Sequence, residues 1–332
     1  MILGIETSCD DTCAAVVTRD GVALSNVVSS QGVHDRYGGV VPEIASRHHL
    51  ELVNAVVEDA LARASTSLDD VSAVAVTQGP GLVGALLVGV ATAKGLAAAR
   101  RLPLIAVDHL QGHVAANFLA PEPFEPPFLC LIASGGHTLL ARVTDHRGFT
   151  VIGQTLDDAA GEAFDKGARL LGLGFPGGPA LSRLAAEGDP AAFAFPTAAR
   201  VPGLDFSFAG LKTALLYAVR DLGEEETRAR AADLAASYEH AIVSALMARV
   251  ERALDAESEP RLAIGGGVAA NRLLRARAEA LGVPVKVPPP ELCTDNAAMI
   301  ASAARWIEPL PFPDYLDLDA YATAPRRRAA AA

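Results

Sequence analysis

The residue pattern at the start of the chain recurs from Phe128, and this repeat restricts the fold more than any other feature of the sequence. Ile2 to Thr7 read as a strand, Ser8-Cys9-Asp10-Asp11 as a polar turn, and Thr12 to Thr18 as a second strand. Arg19-Asp20-Gly21 then supplies a turn before a third strand, Val22 to Val28. Turn chemistry at each reversal predicts a β-meander. The second copy has a strand from Phe128 to Ala133, a turn at Ser134-Gly135-Gly136, and a strand from Thr138 to Thr144. A turn at Asp145 to Gly148 leads into its last strand at Phe149. Such recurrence predicts a structural duplication.

After each meander, helices alternate with short apolar strands: Val71 to Val76 and Leu104 to Val107 in the first half, Leu262 to Ile264 in the second. Each half is therefore expected to be a mixed sheet covered by helices. A chain of 332 residues also exceeds the length at which one core usually stops growing. The expected division is lobe I over 1-118, completed by 297-332, and lobe II over 119-296. Pro121 to Pro127 suits the crossing between lobes. A helix from Asp295 to Trp306 is expected to return to the first lobe, and the first turn of each lobe would point into a central cleft.

With 51% hydrophobic and 20% charged residues, the composition is that of a globular protein. No basic stretch precedes the first apolar residues, and Glu6 interrupts them, so no signal peptide is expected. Gly84, Gly89, Gly95 and Lys94 argue against a membrane span at Leu82 to Ala99. The expected location is cytoplasmic, with no membrane partner. Cys9, Cys13, Cys130 and Cys293 form no CxxC pair, which disfavours a zinc ribbon or a disulfide scaffold. A net charge of -11 disfavours nucleic-acid binding through a general basic surface. An RNA substrate would need a local patch or a partner protein, since Arg326-Arg327-Arg328 reads as a solvated terminus.

His109 and His113 are spaced to share one face of a helix, where both imidazoles can hold a metal ion. Leu110 occupies the position that carries the water-activating Glu in HExxH metalloproteases, so the pair suits substrate positioning. Two ordinary helix histidines would show the same spacing. Gly135 and Gly136 let backbone N–H groups approach an anion, with Ser134 adding a hydroxyl, although a tight hairpin explains them too. Gly265-Gly266-Gly267, costly in chain entropy, favours close ligand approach over a plain loop and leads into a helix beginning near Asn271, which can cap the helix or bond a ligand. A second glycine turn, Phe175 to Pro179, follows the helix expected to carry Asp158, Glu162, Asp165 and Lys166. Asp165 is suited to accept from two ribose hydroxyls. Asp10 and Asp11, facing the opposite lobe, could bind a cation, act as a base or simply form the turn.

These segments together resemble the tRNA N6-adenosine threonylcarbamoyltransferase (TsaD) family. The resemblance runs in order from Gly4-Ile5-Glu6-Thr7-Ser8-Cys9-Asp10-Asp11-Thr12 through Gln78 to Leu82, Asp108 to His113, and Ser134 to Thr138. It continues through Asp157 to Lys166, Phe206 to Lys212, Gly265 to Asn271 and Cys293 to Ala297. It implies an α/β fold, the duplicated actin-like two-lobe architecture of sugar kinases and heat-shock chaperone ATPases. It also implies transfer of threonylcarbamoyl from threonylcarbamoyl-adenylate to N6 of adenosine 37 in tRNAs reading ANN codons, releasing AMP.

Under this resemblance Asp295 joins His109 and His113 as a ligand of one divalent metal, iron(II) ahead of zinc. Ile132, Ala133, Ser134, Gly135 and Gly136 would surround the phosphate and acyl group, while Asp165, Gly178 and Asn271 hold the nucleoside. Asp10 would orient the adenine N6 and help remove its proton. The implied partners are a TsaB-like paralogue, docking through the first lobe with the apolar face of His49 to Leu61 as one candidate surface, and a TsaE-like ATPase. Mg²⁺ would accompany any bound ATP. Two positions depart from the family pattern: Ala133 where Val is expected, and Ser182 where many relatives have Asp. An actin-like-fold ATPase or kinase is the main alternative, ahead of a metalloprotease or a non-catalytic scaffold; none of the three uses every motif.

Overall fold

The structure, a computed structural model, describes residues 1–197, 201–258 and 260–323. The first sheet begins with β1 (Ile2–Glu6), β2 (Asp11–Val17) and β3 (Ala23–Ser30), each antiparallel to the next. The long helix α1 (Pro42–Arg63) leads to β4 (Ala73–Gly79), α2 (Val83–Arg100), β5 (Leu104–Asp108) and the short α3 (His109–Ala115). β4 runs parallel to β1, and β5 parallel to β4, giving the order β3-β2-β1-β4-β5.

The second half repeats this plan. β6 (Phe128–Ala133), β7 (Thr138–Asp145) and β8 (Gly148–Gln154) form the meander. Helices α4 (Ala160–Leu170), α5 (Gly177–Ala185), α6 (Ala209–Ala229) and α7 (Ala231–Leu254) precede β9 (Leu262–Gly265). Then come α8 (Arg272–Glu279), β10 (Val285–Lys286), the single turn α9 (Pro290–Cys293) and α10 (Ala297–Ala304). With β9 parallel to β6 and β10 parallel to β9, the order β10-β9-β6-β7-β8 is the counterpart of the first sheet. The duplication expected from sequence is therefore present in the topology, with strand ends shifted by one to two residues at most positions.

Both faces of the central strands are covered, which is why they read as continuous apolar runs. Successive side chains on β2 and β6 alternate between cores. Ala14 and Val16 face the outer core of the first sheet, with Val53, Val57 and Val90 of α1 and α2. Cys13, Ala15 and Val17 face a central core that also takes Phe128, Cys130 and Ile132 of β6 and most of α10. Leu129, Leu131 and Ala133 face the outer core of the second sheet, beneath α4 to α8.

The returning helix is shorter than expected, since α10 starts at Ala297 and leaves Asp295 outside it, but it packs against β1, β2 and β3 as anticipated. Helix α2 is long and apolar enough by composition to cross a membrane. It nevertheless packs on β4 and α1, burying Val90, Ala93 and Ala97 against the first sheet. Most of the apolar face of His49 to Leu61 is likewise core, with Val53, Val56, Val57 and Ala60 buried. Arg326 to Arg328 lie outside the described residues.

Candidate metal centre and ligand cleft

Helix α3 begins where β5 ends because Asp108 caps it: Oδ1 accepts from the backbone N–H groups of Leu110 and Gln111 at 2.8 and 3.1 Å. Its other oxygen accepts from the Tyr321 hydroxyl at 2.8 Å. The cap fixes His109 and His113 on the inward face of the first turn and a half, both buried. Between them, Gly112 lets α10 approach, since a Cβ there would lie 2.7 Å from Ile300 Cδ1. That approach carries Asp295, two residues before α10, to the two imidazoles.

Asp295 Oδ1 lies 3.5 Å from His109 Nε2 and 3.3 Å from His113 Nε2. One ligand atom from each of the three residues falls within 4.8 Å of the others. The rings meet edge to face, with centroids 4.7 Å apart. His113 is fully buried and, among the described residues, neither of its ring nitrogens completes a hydrogen bond, Nε2 only approaching Asp295. Leaving two polar atoms orphaned in a core is costly. Two imidazoles and one carboxylate form a borderline-soft donor set that suits iron(II) or zinc, so the residues present fit a divalent metal.

Electrostatics agree with a site shaped for positive charge. Burial disfavours ionisation of Asp295, but the neighbouring His109 and His113 outweigh it and hold the carboxyl well below its ordinary range. For His109, burial acts downward, and the Asp295 and Glu6 carboxylates overcome it, lifting the imidazole to about 9. His137 goes the opposite way, to about 4, because burial and the two other histidines disfavour its charge. Its ring centroid lies 6.3 Å from that of His109, bringing a third imidazole to the site that sequence reasoning passed over within its own Ser134 to Thr138 motif.

His137 also ties this triad to the glycine turn of the second lobe. Ser134 closes the turn through its backbone N–H to His137 O at 2.8 Å, and its hydroxyl accepts from His137 N–H at 3.1 Å. Gly135 and Gly136 are exposed and a Cβ on either would meet nothing within 4 Å, so their backbone borders open space. The Gly265 to Gly267 run is different. Gly266 has φ of +86° and sits so close to β6 that a Cβ would lie 2.4 Å from Ala133 O, and a Cβ on Gly265 would lie 2.9 Å from His113 O. Internal packing, not ligand approach, accounts for two of these three glycines.

The expected nucleoside residues gather on the helices behind the turn. Asp165 on α4 accepts from Gly177 N–H at 2.8 Å, and its pKa is raised mainly by burial, with the Asp10 carboxylate adding to the effect. Gly178 lies inside α5 rather than in a preceding turn, and Asp158 precedes α4 instead of riding on it. Asn271 caps α8 through Leu274 N–H at 2.9 Å, while its amide donates to Ser182 Oγ at 2.7 Å and to Glu239 Oε1 at 2.6 Å. Ser182 also bonds Glu239 directly. Ser182 is thus joined to a buried carboxylate, Glu239, that sequence reasoning did not find because it sits mid-helix in an apolar stretch.

The turn that carries Asp10 is pinned from several sides. His49 Nε2 lies 3.0 Å from Cys9 O while its Nδ1 meets Thr12 Oγ1 at 2.8 Å, Gln31 N–H donates to Asp10 O at 3.2 Å, and Leu82 N–H donates to Ser8 O at 2.8 Å. Burial, with nearby Asp295, Asp10 and Glu6, raises the Asp11 carboxyl to about 7 despite a hydrogen bond from Ser30.

The backbone as a whole is similar to that of HypF from T. kodakarensis, with a TM-score of 0.59, 15% identity, and coverage of 91% of this chain and 46% of that one. It is also similar to component A of the Acidaminococcus fermentans (R)-2-hydroxyglutaryl-CoA dehydratase, with a TM-score of 0.56, 16% identity, and coverage of 92% and 96%. Fold and site together define an actin-like, two-sheet α/β protein with a His-His-Asp cluster beside an open glycine turn. Residues 22–302 match the profile of TsaD, tRNA N6-adenosine threonylcarbamoyltransferase, and the chain belongs to that family. The Anaeromyxobacter dehalogenans (strain 2CP-1) protein of that name is 56% identical over 309 residues, covering 91% of this chain and 92% of its own. The Symbiobacterium thermophilum protein is 51% identical over 325 residues, covering 96% and 95%.

Proposed function

We propose that the chain transfers the threonylcarbamoyl group of threonylcarbamoyl-adenylate to N6 of adenosine 37 in tRNAs reading ANN codons, forming t6A and releasing AMP. The observation that carries this reading is the meeting of the His109, His113 and Asp295 cluster with the exposed Gly135-Gly136 turn through His137. Such a site has room for an anionic adenylate next to a group that handles its acyl end. An ATPase or kinase would use the turn but leave the buried triad without a role.

In the transfer, a bond forms between N6 and the carbamoyl carbon while the bond from that carbon to the adenylate oxygen breaks, and AMP leaves with the electron pair. The mixed anhydride is already activated, so no covalent nucleophile on the protein is needed. Asp10 orients the amine and accepts the N6 proton, which must leave because adenine N6 is a weak nucleophile. Ile132 to Gly136 border the phosphate and acyl group, and Asp165, Gly178 and Asn271 hold the nucleoside. A divalent metal held by His109, His113 and Asp295, iron(II) ahead of zinc, would supply Lewis acidity toward the threonylcarbamoyl oxygens. Single-turnover transfer by Asp10→Ala tests the base: a loss of about a hundredfold or more supports it, and wild-type rates sink it.

The same reading divides the chain into lobe I, 1-118 completed by 297-332, and lobe II, 119-296, with 324-332 outside the described residues. A TsaB-like paralogue docks on the first lobe, where Leu50 of α1 and Val83 and Leu87 of α2 are exposed. A TsaE-like ATPase, with Mg²⁺ and ATP, completes the assembly in the cytoplasm. The net charge of -11 favours a tRNA surface supplied in part by these partners.

A further inference from the structure

Glu6 is a fully buried carboxylate at the end of β1, and three donors converge on it. Its Oε1 accepts from the backbone N–H of Ser8. Its Oε2 accepts from the Thr77 hydroxyl at 2.6 Å and lies 3.0 Å from His109 Nδ1. A carboxylate can only accept, so Nδ1 of His109 keeps its hydrogen, and when the ring gives up a proton the lone pair appears on Nε2. Nε2 is the nitrogen that lies 3.5 Å from Asp295. Ser8 Oγ, at 3.2 Å from the same Nδ1, closes the group from the other side.

We propose that Glu6 is the positioning residue of the metal centre, setting both the tautomer and the ring orientation of His109 so that Nε2 faces His113 and Asp295. The inference rests on the reading of that cluster as a metal site. Glu6 does more than orient a ring. By holding Ser8 N–H with one oxygen and Thr77 and His109 with the other, it places the turn bearing Asp10 in fixed relation to the His109 ligand. A neutral hydrophobic residue would pack at this depth with less desolvation cost. A carboxyl group stands where a ligand nitrogen needs a fixed partner, and carboxylate partners of this kind are commonly worth about ten- to a hundredfold in metal affinity.

The test uses Co²⁺ as probe on the full-length protein, titrated against a chromophoric chelator, with His113→Ala as the reference for loss of the centre. Glu6→Gln is close in shape to Glu6 but removes its charge and places an amide where only acceptors fit. Its Co²⁺ affinity is expected to fall by roughly ten- to a hundredfold, with an altered Co²⁺ visible spectrum, while a single cooperative thermal transition shows that the metal-free protein still folds. Affinity within twofold of wild type and an unchanged spectrum would overturn the proposal while leaving the metal site standing. Wild-type binding that is absent, or equally strong in His113→Ala, would overturn the metal reading and the proposal together. If Glu6→Gln does not fold, Thr77→Val loosens the same oxygen: a severalfold drop in Co²⁺ affinity supports the assignment, and unchanged affinity rejects it.

Discussion

Asp295 Oδ1 stands 3.3 Å from Nε2 of the fully buried His113, and among the described residues that histidine completes no hydrogen bond through either ring nitrogen. A cation between them would account for the pair. His113→Ala and Asp295→Asn are therefore each expected to lower bound metal from about one per chain to near zero, measured by elemental analysis after purification without chelator. Retention of metal in both variants would place it elsewhere.

Proton competition sets the pH dependence of that binding. His109 is raised to about 9 in the metal-free protein, so at neutral pH a cation must displace a proton from Nε2. Metal affinity is expected to climb by about tenfold per pH unit toward 9 and then level off. Stability of the metal-free chain runs the other way. A histidine whose folded pKa exceeds its unfolded value stabilises fully below the unfolded value of 6.5, and that contribution fades as pH rises through about 9. Calorimetry of apo and Zn²⁺-loaded protein between pH 6 and 9 reads both trends at once.

Asp11 offers a second test with a definite sign. Its carboxyl is raised from 3.8 to about 7, so the stability linked to its neutral form is complete below 3.8 and lost as pH rises through 7. Asp11→Asn, which cannot ionise, is expected to unfold several degrees above wild type at pH 8. The gap should close at pH 4; a gap of equal size at both values would show that ionisation of the half-buried Asp11 carboxyl is not its source.

Glycines in the site separate into two kinds. Gly266→Ala combines φ of +86° with a Cβ 2.4 Å from the Ala133 carbonyl oxygen, so it is expected to cost about 2–4 kcal/mol in denaturant titrations. Gly135→Ala meets open space and is expected to change stability by less than about 0.5 kcal/mol while weakening AMP binding measured by calorimetry. Equal effects on folding and binding at the two positions would remove the distinction.

Much of the fold is legible in the sequence alone. The meanders are readable because turn residues punctuate apolar runs, and the helix pair His109 and His113 because a spacing of four fixes a shared face. Asp295 can be joined to them only through family resemblance, since no local pattern reports that Gly112 lets α10 close on α3. Glu6 reads as a break in an apolar strand, and its three donors come from Ser8, Thr77 and His109, two of them distant in sequence. Triple glycine suggests ligand approach, yet the tertiary contacts of Gly265 and Gly266 with His113 and Ala133 supply the stronger reason for bare backbone. Local chemistry is visible along the chain, whereas partnerships made by packing across elements are not.

The central claim is that this cleft passes a threonylcarbamoyl group to adenosine under the control of its His-His-Asp cluster. The most direct measurement is transfer of labelled threonylcarbamoyl from its adenylate to an ANN-decoding tRNA, by the chain with the paralogue and the ATPase, comparing wild type with His109→Ala. Label on N6 of adenosine 37, lost with His109→Ala, is the expected result. Label that persists in His109→Ala, or no label in any combination while ATP is still hydrolysed, would contradict it.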